Sequence, residues 1–229
     1  MIDTSTAIEF LALSVDGKIY QYGKDQGMSH SVTMFQNLSS LLSNASIGMN
    51  DIHLIGTGIG PGSFTGIRIA VSTARMFAQM LKIPLVGLIS PEIFAASACL
   101  TGNKTVLAAF DAKKSKIFGG VYRVTDSITD EIVKPGDYHI EDLLGMIKNP
   151  GELTCAGDGC GKYIDIIDRT SKKNGFSYNY LENLIPDGKA AADLTLRKYY
   201  QSPEIFTDYS NTVPLYSRKS DAEIAKYSG

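Results

Sequence analysis

Gly56-Thr-Gly-Ile-Gly-Pro-Gly-Ser-Phe-Thr-Gly-Ile-Arg68 joins a short apolar run, His53 to Gly58, to a long amphipathic stretch that starts near Ser63. Five of the eleven residues from Gly56 to Gly66 are glycine. A buried strand that hands over to a helix through such a loop is the unit from which layered α/β domains are built. The spacing is not a dinucleotide fingerprint, because no start position gives G-x-G-x-x-G, nor a Walker A loop, because no Gly-Lys-Ser/Thr follows. Two uses of the glycines stay open. The backbone can approach a phosphate, or it can form turns with φ > 0 and let Gly62 and Gly66 bring a helix close to its neighbours. Ser63 or Thr65 caps the helix in either case, and Arg68 is free to meet solvent, a partner or a phosphate.

Outward from this loop the pattern alternates. Ile2 to Asp3 opens a strand that is cut short, and Phe10 to Val15 and Lys18 to Tyr22 flank Asp16-Gly17, a two-residue hairpin signal. Met34, Phe35, Leu38, Leu41 and Leu42 give Ser31 to Leu42 the spacing of an amphipathic helix. After the helix from Ser63 to Leu81 come a strand, Leu85 to Ile89, and a helix opened by Ser90-Pro91-Glu92. The order is β-β-β-α-β-α-β-α. Beyond about Gly102 the opening recurs as Thr105 to Phe110, Ile117 to Val124 and Ile132 to Tyr138. A helix Ile140 to Ile147, a strand Leu153 to Ala156, a helix Lys162 to Asp168 and a long helix Ala190 to Tyr200 complete the expected elements. The expected architecture is α/β with two related lobes, 1–102 and 103–229, whose mixed sheets carry helices on their faces. That is the actin-like (ASKHA, ribonuclease H-like) layout of actin, the sugar kinases and the Hsp70 ATPase, here with a truncated first strand.

Composition limits what such a protein does. With 229 residues, 44% hydrophobic and 20% charged, the chain can build a sizeable core. Lys plus Arg number 22 against 24 Asp plus Glu, so no global field draws it onto phosphates or an acidic membrane. Neither a signal peptide nor a membrane span is legible, and a cytoplasmic location is expected. Cys99, Cys155 and Cys160 are read as reduced thiols, and with His30, His53 and His139 scattered singly no metal site is expected.

The helix after the glycine loop carries two apolar stripes. Ile67, Ala70, Val71, Ala74, Phe77, Ala78 and Leu81 form a core face. Ile69, Thr73, Met76 and Met80 form a second stripe roughly 120° around from it. Arg68, Ser72, Arg75, Gln79 and Lys82 are left for water. The second stripe meets either its own lobe or another protein, and Met34, Leu38 and Leu41 of the preceding helix extend the same candidate surface. Catalytic constellations are thin, and no catalytic residue is assigned. Asp3-Thr4-Ser5-Thr6 and Asp111 stand where actin-like ATPases hold phosphate and metal, but neither is followed by the glycine-rich turn those enzymes use. Asp158, between Gly157 and Gly159, either meets a nucleotide or simply precedes a helix.

Gly60-Pro61-Gly62-Ser63-Phe64-Thr65-Gly66-Ile67-Arg68-Ile69 closely resembles the signature of the TsaB (YeaZ) family, the bacterial partners of the threonylcarbamoyltransferase TsaD. The similarity extends to Ile2-Asp-Thr-Ser-Thr6, Val106 to Ala112, Gly157-Asp-Gly159 and Val213-Pro-Leu-Tyr-Ser-Arg218. The resemblance implies an actin-like subunit that has lost catalysis and binds a TsaD-like enzyme through first-lobe helices. The complex places threonylcarbamoyl on N6 of adenosine 37 in tRNAs that read ANN codons. It also implies a TsaE-like ATPase in the complex, a homodimer when alone, and tRNA contact only through the complex. No cofactor is implied in the isolated subunit, with ATP or ADP at the shared interface. Two departures stand out. The chain begins at Met1-Ile2 where members have several apolar residues before Asp-Thr, and Lys113-Lys-Ser-Lys116 replaces the arginine, glycine and acidic residues common after Asp-Ala. An actin-like ATPase or kinase acting alone is the alternative.

Overall fold

The computed structural model describes residues 1–25, 30–148 and 150–217, with the backbone alone for residues 30–32. The first lobe runs β1 (Ile2–Asp3), β2 (Ile8–Val15), β3 (Lys18–Asp25), α1 (His30–Asn44), β4 (Ile55–Gly58), α2 (Phe64–Leu81), β5 (Leu85–Leu88) and α3 (Ser90–Ser97). This is the order read from the sequence. The hairpin turns at Asp16 and Gly17, both at positive φ (48° and 77°), the backbone that a two-residue turn between right-twisted strands needs. The five strands lie in the order β3-β2-β1-β4-β5, with β1 antiparallel to β2 and parallel to β4.

The second lobe repeats the plan with β6 (Asn103–Lys113), β7 (Lys116–Thr125), β8 (Ile128–Tyr138), α4 (Ile140–Gly145), β9 (Glu152–Ala156), α5 (Asp158–Lys162), α6 (Ile164–Asn174) and β10 (Ser177–Leu181). Its sheet, β10-β9-β6-β7-β8, has the connectivity of the first when β6 is set against β1 and β9 against β4. The two-lobed α/β architecture is as expected. Two details differ. The helix expected from Lys162 to Asp168 is two helices broken at Tyr163, and β10 was not foreseen. β10 is a half-exposed edge strand whose alternation, Phe176, Tyr178, Tyr180, packs on only one face.

Each sheet is covered on both faces. In the first lobe α1 and α2 pack on Ile2, Leu11, Ile55 and Leu85. The opposite face, Phe10, Ala12, Val86 and Leu88, is covered by Ile93 and Ala96 of α3 and by Ala190, Ala191 and Leu194 of α7 (Gly188–Gln201). Helix α3 also turns Phe94, Ala95 and Ala98 onto the second sheet, so it forms the waist. The boundary expected at residue 102 separates the sheets, but not two continuous pieces of chain. Helix α7 returns to the first lobe because the Phe10–Val86 face is apolar and α3 covers only part of it. The segment beyond α7 stays there, with Tyr209 Oη donating to Ala78 O at 3.0 Å and Leu215 N donating to Ile59 O at 2.7 Å.

Candidate functional site

The glycine loop is folded down on the turn that follows β1. Ser63 N donates to Ser5 O at 2.7 Å, and Thr4 Oγ1 donates to Gly66 O at 2.6 Å. A Cβ at Gly62 would overlap Ser5 O, and one at Gly66 would overlap Thr4 O. Of the two uses open in the sequence, the geometry shows close packing of backbone on backbone. Ser63 is the cap of α2, its Oγ accepting from Gly66 N at 3.2 Å, while Thr65 is exposed. Gly60 and Pro61 are buried, and Ser90 N donates to Gly60 O at 2.9 Å, tying the loop to α3. Arg68 lies 3.9 Å above the Phe64 ring and its Nε donates to Tyr216 Oη at 2.8 Å, with Phe64 and Tyr216 stacked 4.6 Å apart. Arg218, the last residue of the closing motif, lies outside the described residues.

Actin-like ATPases seat phosphate at this turn. Here the loop's own backbone fills the space against Asp3, Thr4 and Ser5, all buried. A nucleotide's phosphates do not fit these residues.

The matching turn of the second lobe is charged. Asp111 Oδ2 accepts from Lys113 Nζ at 2.7 Å and from Lys162 Nζ at 2.8 Å, and Asp111 N donates to Asp158 Oδ1 at 3.3 Å. Burial opposes ionisation of Asp111, but the hydrogen bonds from the two lysines outweigh it and hold its carboxyl below the usual carboxylate range. Asp158 is pushed the other way, by burial first and by the Asp111 charge as well. Both lysines are thereby engaged with a carboxylate of their own chain. Between the lobes lies a cleft of about 430 Å³ lined by Thr6, Ile8, Phe94, Phe110, Asp158 and Lys162. Among the described residues no group of three or more His, Cys, Asp or Glu could hold a metal ion. Cys99, Cys155 and Cys160 are buried thiols, and burial pushes that of Cys160 up.

The candidate partner surface divides on inspection. Met76 and Met80 are exposed, at 41% and 71%, and Ile69 and Leu38 are half-buried. Met34, Leu41 and Thr73 are not surface residues: all three are buried, and Met34 and Leu41 belong to the core beneath α1 and α2. The correction has a local cause. Glu9 on β2, itself buried, accepts from Thr33 Oγ1 at 2.9 Å and from Asn37 Nδ2 at 2.6 Å, which fixes α1 with Met34 and Leu41 turned inward. Phe35, half exposed and edge-on to Phe77, takes the outward place on α1 that had been expected of Met34. The exposed face is therefore Phe35, Met76 and Met80, with Ile69 at its margin. The core stripe of α2 is as read, with Ile67, Ala70, Val71, Ala74 and Ala78 buried.

Residues 25–226 match the family model described as TsaD: tRNA N6-adenosine threonylcarbamoyltransferase. The chain belongs to this family. Several of its curated relatives bear the TsaB name: the tRNA threonylcarbamoyladenosine biosynthesis protein TsaB of Escherichia coli is 24% identical over 96% of this chain and 94% of its own. That of Buchnera aphidicola from Schizaphis graminum is 28% identical over 82% of this chain and 88% of its own. The solved structure of YeaZ from Pseudomonas aeruginosa superposes with a TM-score of 0.76 at 21% identity, covering 94% of this chain and 97% of that one, and shows the shared fold. The family resemblance seen in the signature loop thus extends through both lobes. Among the described residues no helix is long and apolar enough to cross a membrane.

Proposed function

We propose that this chain is a non-catalytic, cytoplasmic subunit of the apparatus that installs threonylcarbamoyl on N6 of adenosine 37 in tRNAs reading ANN codons. It works by binding a TsaD-like transferase, alongside a TsaE-like ATPase, and meets tRNA only within that complex. In the absence of the partner the same face pairs two copies of the chain, and any ATP or ADP lies at the interface with the transferase. The observation that carries the reading is the filling of the first-lobe turn by Gly62 and Gly66, which leaves an actin-like fold without its phosphate seat. The exposed Phe35–Met76–Met80 face supplies what a partner subunit needs instead, since deformable methionines repack against another surface.

The experiment has two arms. The purified chain is expected to show no ATP turnover, and tRNA threonylcarbamoylation by the TsaD-like enzyme is expected to require it. A turnover of about 1 s⁻¹ or more from the chain alone would replace this reading with that of a stand-alone actin-like ATPase or kinase. In the second arm, Met76→Glu is expected to melt within about 0.5 kcal/mol of wild type, because the carboxylate stays hydrated in the free chain. It is expected to lose co-elution with the partner, because docking would force that carboxylate into an apolar contact. Retained co-elution moves the interface elsewhere.

A further inference from the structure

The floor of the interlobe cleft is apolar. Phe94 of α3 and Phe110 of β6 meet edge to face with ring centroids 4.8 Å apart, and both are buried. Half-buried Ile8 of β2 and Leu184, from the segment that joins β10 to α7, pack on the same cluster. At about 430 Å³ the space falls within the roughly 300–1,000 Å³ of small-molecule sites. None of these residues belongs to the Phe35–Met76–Met80 face.

One wall of the cleft is already in place. Ile185 lies against Gly23 of β3, where a Cβ would overlap its side chain. Asp187 N donates to Ser97 Oγ at 2.8 Å and Gly188 N donates to Gln21 Oε1 at 2.7 Å, so the segment from Leu184 to Gly188 is held against both α3 and β3. A ligand that enters here has little ordering of this segment to overcome.

The polar lining is acidic. Among the described residues it holds two carboxylates, Asp25 and Asp158, and one ammonium, Lys162, which is engaged with Asp111. Asp158 Oδ1 accepts from Asp111 N at 3.3 Å, just past the usual range, and among the described residues no cation pairs with its carboxylate. Burial, joined by the Asp111 charge, disfavours its ionised form, as expected of a carboxylate beside apolar surface without a counter-charge. Tyr180 lines the same space, its hydroxyl standing where a Cβ on Gly161 would reach. Among the described residues that hydroxyl makes no hydrogen bond.

We propose that the interlobe cleft binds a small organic ammonium ion, its apolar body seated on Ile8, Phe94, Phe110 and Leu184 and its N–H groups donating to the Asp158 carboxylate and the Tyr180 oxygen. The positive charge supplies the counter-ion that Asp158 lacks among the described residues, and the apolar floor keeps water from competing for it. The same lining rejects phosphates, since Asp25 and Asp158 repel them and Lys162 already holds a carboxylate.

The test titrates the full chain with phenethylamine, with its neutral and anionic counterparts phenethyl alcohol and phenylacetate, and with spermidine, which has the charge but no apolar body. The amide resonances of Gly157, Asp158 and Gly161 are followed by NMR. Phenethylamine is expected to shift all three with a Kd of about 1 mM or below, and each of the other compounds to bind about tenfold more weakly or worse. Asp158→Asn is expected to keep its Tm within about 2 °C of wild type and to bind phenethylamine about tenfold more weakly. Tyr180→Phe, which leaves the carboxylate in place, is expected to weaken binding about threefold and gives a second reading should Asp158→Asn not fold. No shift at about 10 mM phenethylamine, or undiminished binding by either variant, overturns the proposal. Phenylacetate bound as tightly as the amine overturns it in favour of an anion site at Lys162, and spermidine bound as tightly removes the apolar floor from recognition and overturns it too.

Discussion

In the first lobe the loop after β4 packs its glycines on the turn after β1, and in the second the loop after β9 packs Gly157 on the end of β6, where a Cβ would overlap Ala109 O. The device is the same, but its surroundings are not. The first turn is buried, lined by Thr4 and Ser5, and strapped from outside by Phe64, Arg68 and Tyr216. The second is charged, borders the interlobe cleft, and is held by Asp111 with its two lysines. Conserved backbone geometry at both ends of an actin-like cleft is therefore compatible with one end being sealed. The glycines report how closely two chain segments approach, and only their neighbours say whether a ligand can follow.

That contrast is open to attack, beginning with the tightest contact. Gly66→Val sets a β-branched side chain against the Thr4 carbonyl and is expected to cost about 4 kcal/mol or more, seen as loss of the folded fraction or collapse of the melting transition. A normal melt would show that the first loop can lift and that its turn is not sealed. Gly157→Ala meets both the Ala109 carbonyl and a backbone at φ 94°, and is expected to cost about 2–3 kcal/mol in urea unfolding. A cost equal to that of Gly66→Val would erase the difference between the loops.

The strap is worth less. Tyr216→Ala removes a stacked ring and a hydrogen-bond partner of Arg68 at a half-exposed site, and is expected to lower stability by about 1 kcal/mol. Smallest is the charge effect. The carboxyl of Asp158 is raised in the folded chain, so its ionisation weakens the fold: this loss is absent below the unfolded value near 3.8 and grows as pH rises through the folded value. Asp158→Asn is accordingly expected to raise Tm at pH 7 by no more than about 2 °C, with the gain vanishing towards pH 3. A gain that persists in acid would assign the effect to packing.

Periodicity and short apolar runs made the sheets and most helices legible, because the continuous buried run of β2 and the core stripe of α2 follow directly from backbone geometry. The loop was legible as a special place, but its purpose was not. Whether Gly62 faces a phosphate or Ser5 depends on a contact between segments far apart in the chain, and nothing local encodes it. The same holds for the pairing of Asp111 with Lys162, for the return of α7, and for Met34, whose inward turn is set by Glu9 on another strand. Met76 and Met80 are exposed while Thr73 of the same stripe is buried, a division that helical spacing alone leaves open. Tyr216 belongs to the closing Val-Pro-Leu-Tyr-Ser-Arg motif, yet its role appears only where it meets Phe64 and Arg68.

The return of α7 bears on how the protein is made. A ribosome delivers the strands of the first lobe early, but the helix that covers Phe10, Ala12 and Val86 emerges only after both sheets have left the tunnel. The lobe that begins first therefore finishes last, after the second sheet, whose strands and α4 and α6 are contiguous in the chain, is able to close. Until then the part of this apolar sheet face that α3 does not cover stays open, a natural target for a holding chaperone. A fragment ending near residue 102 would keep α3 but leave the rest of that face uncovered permanently.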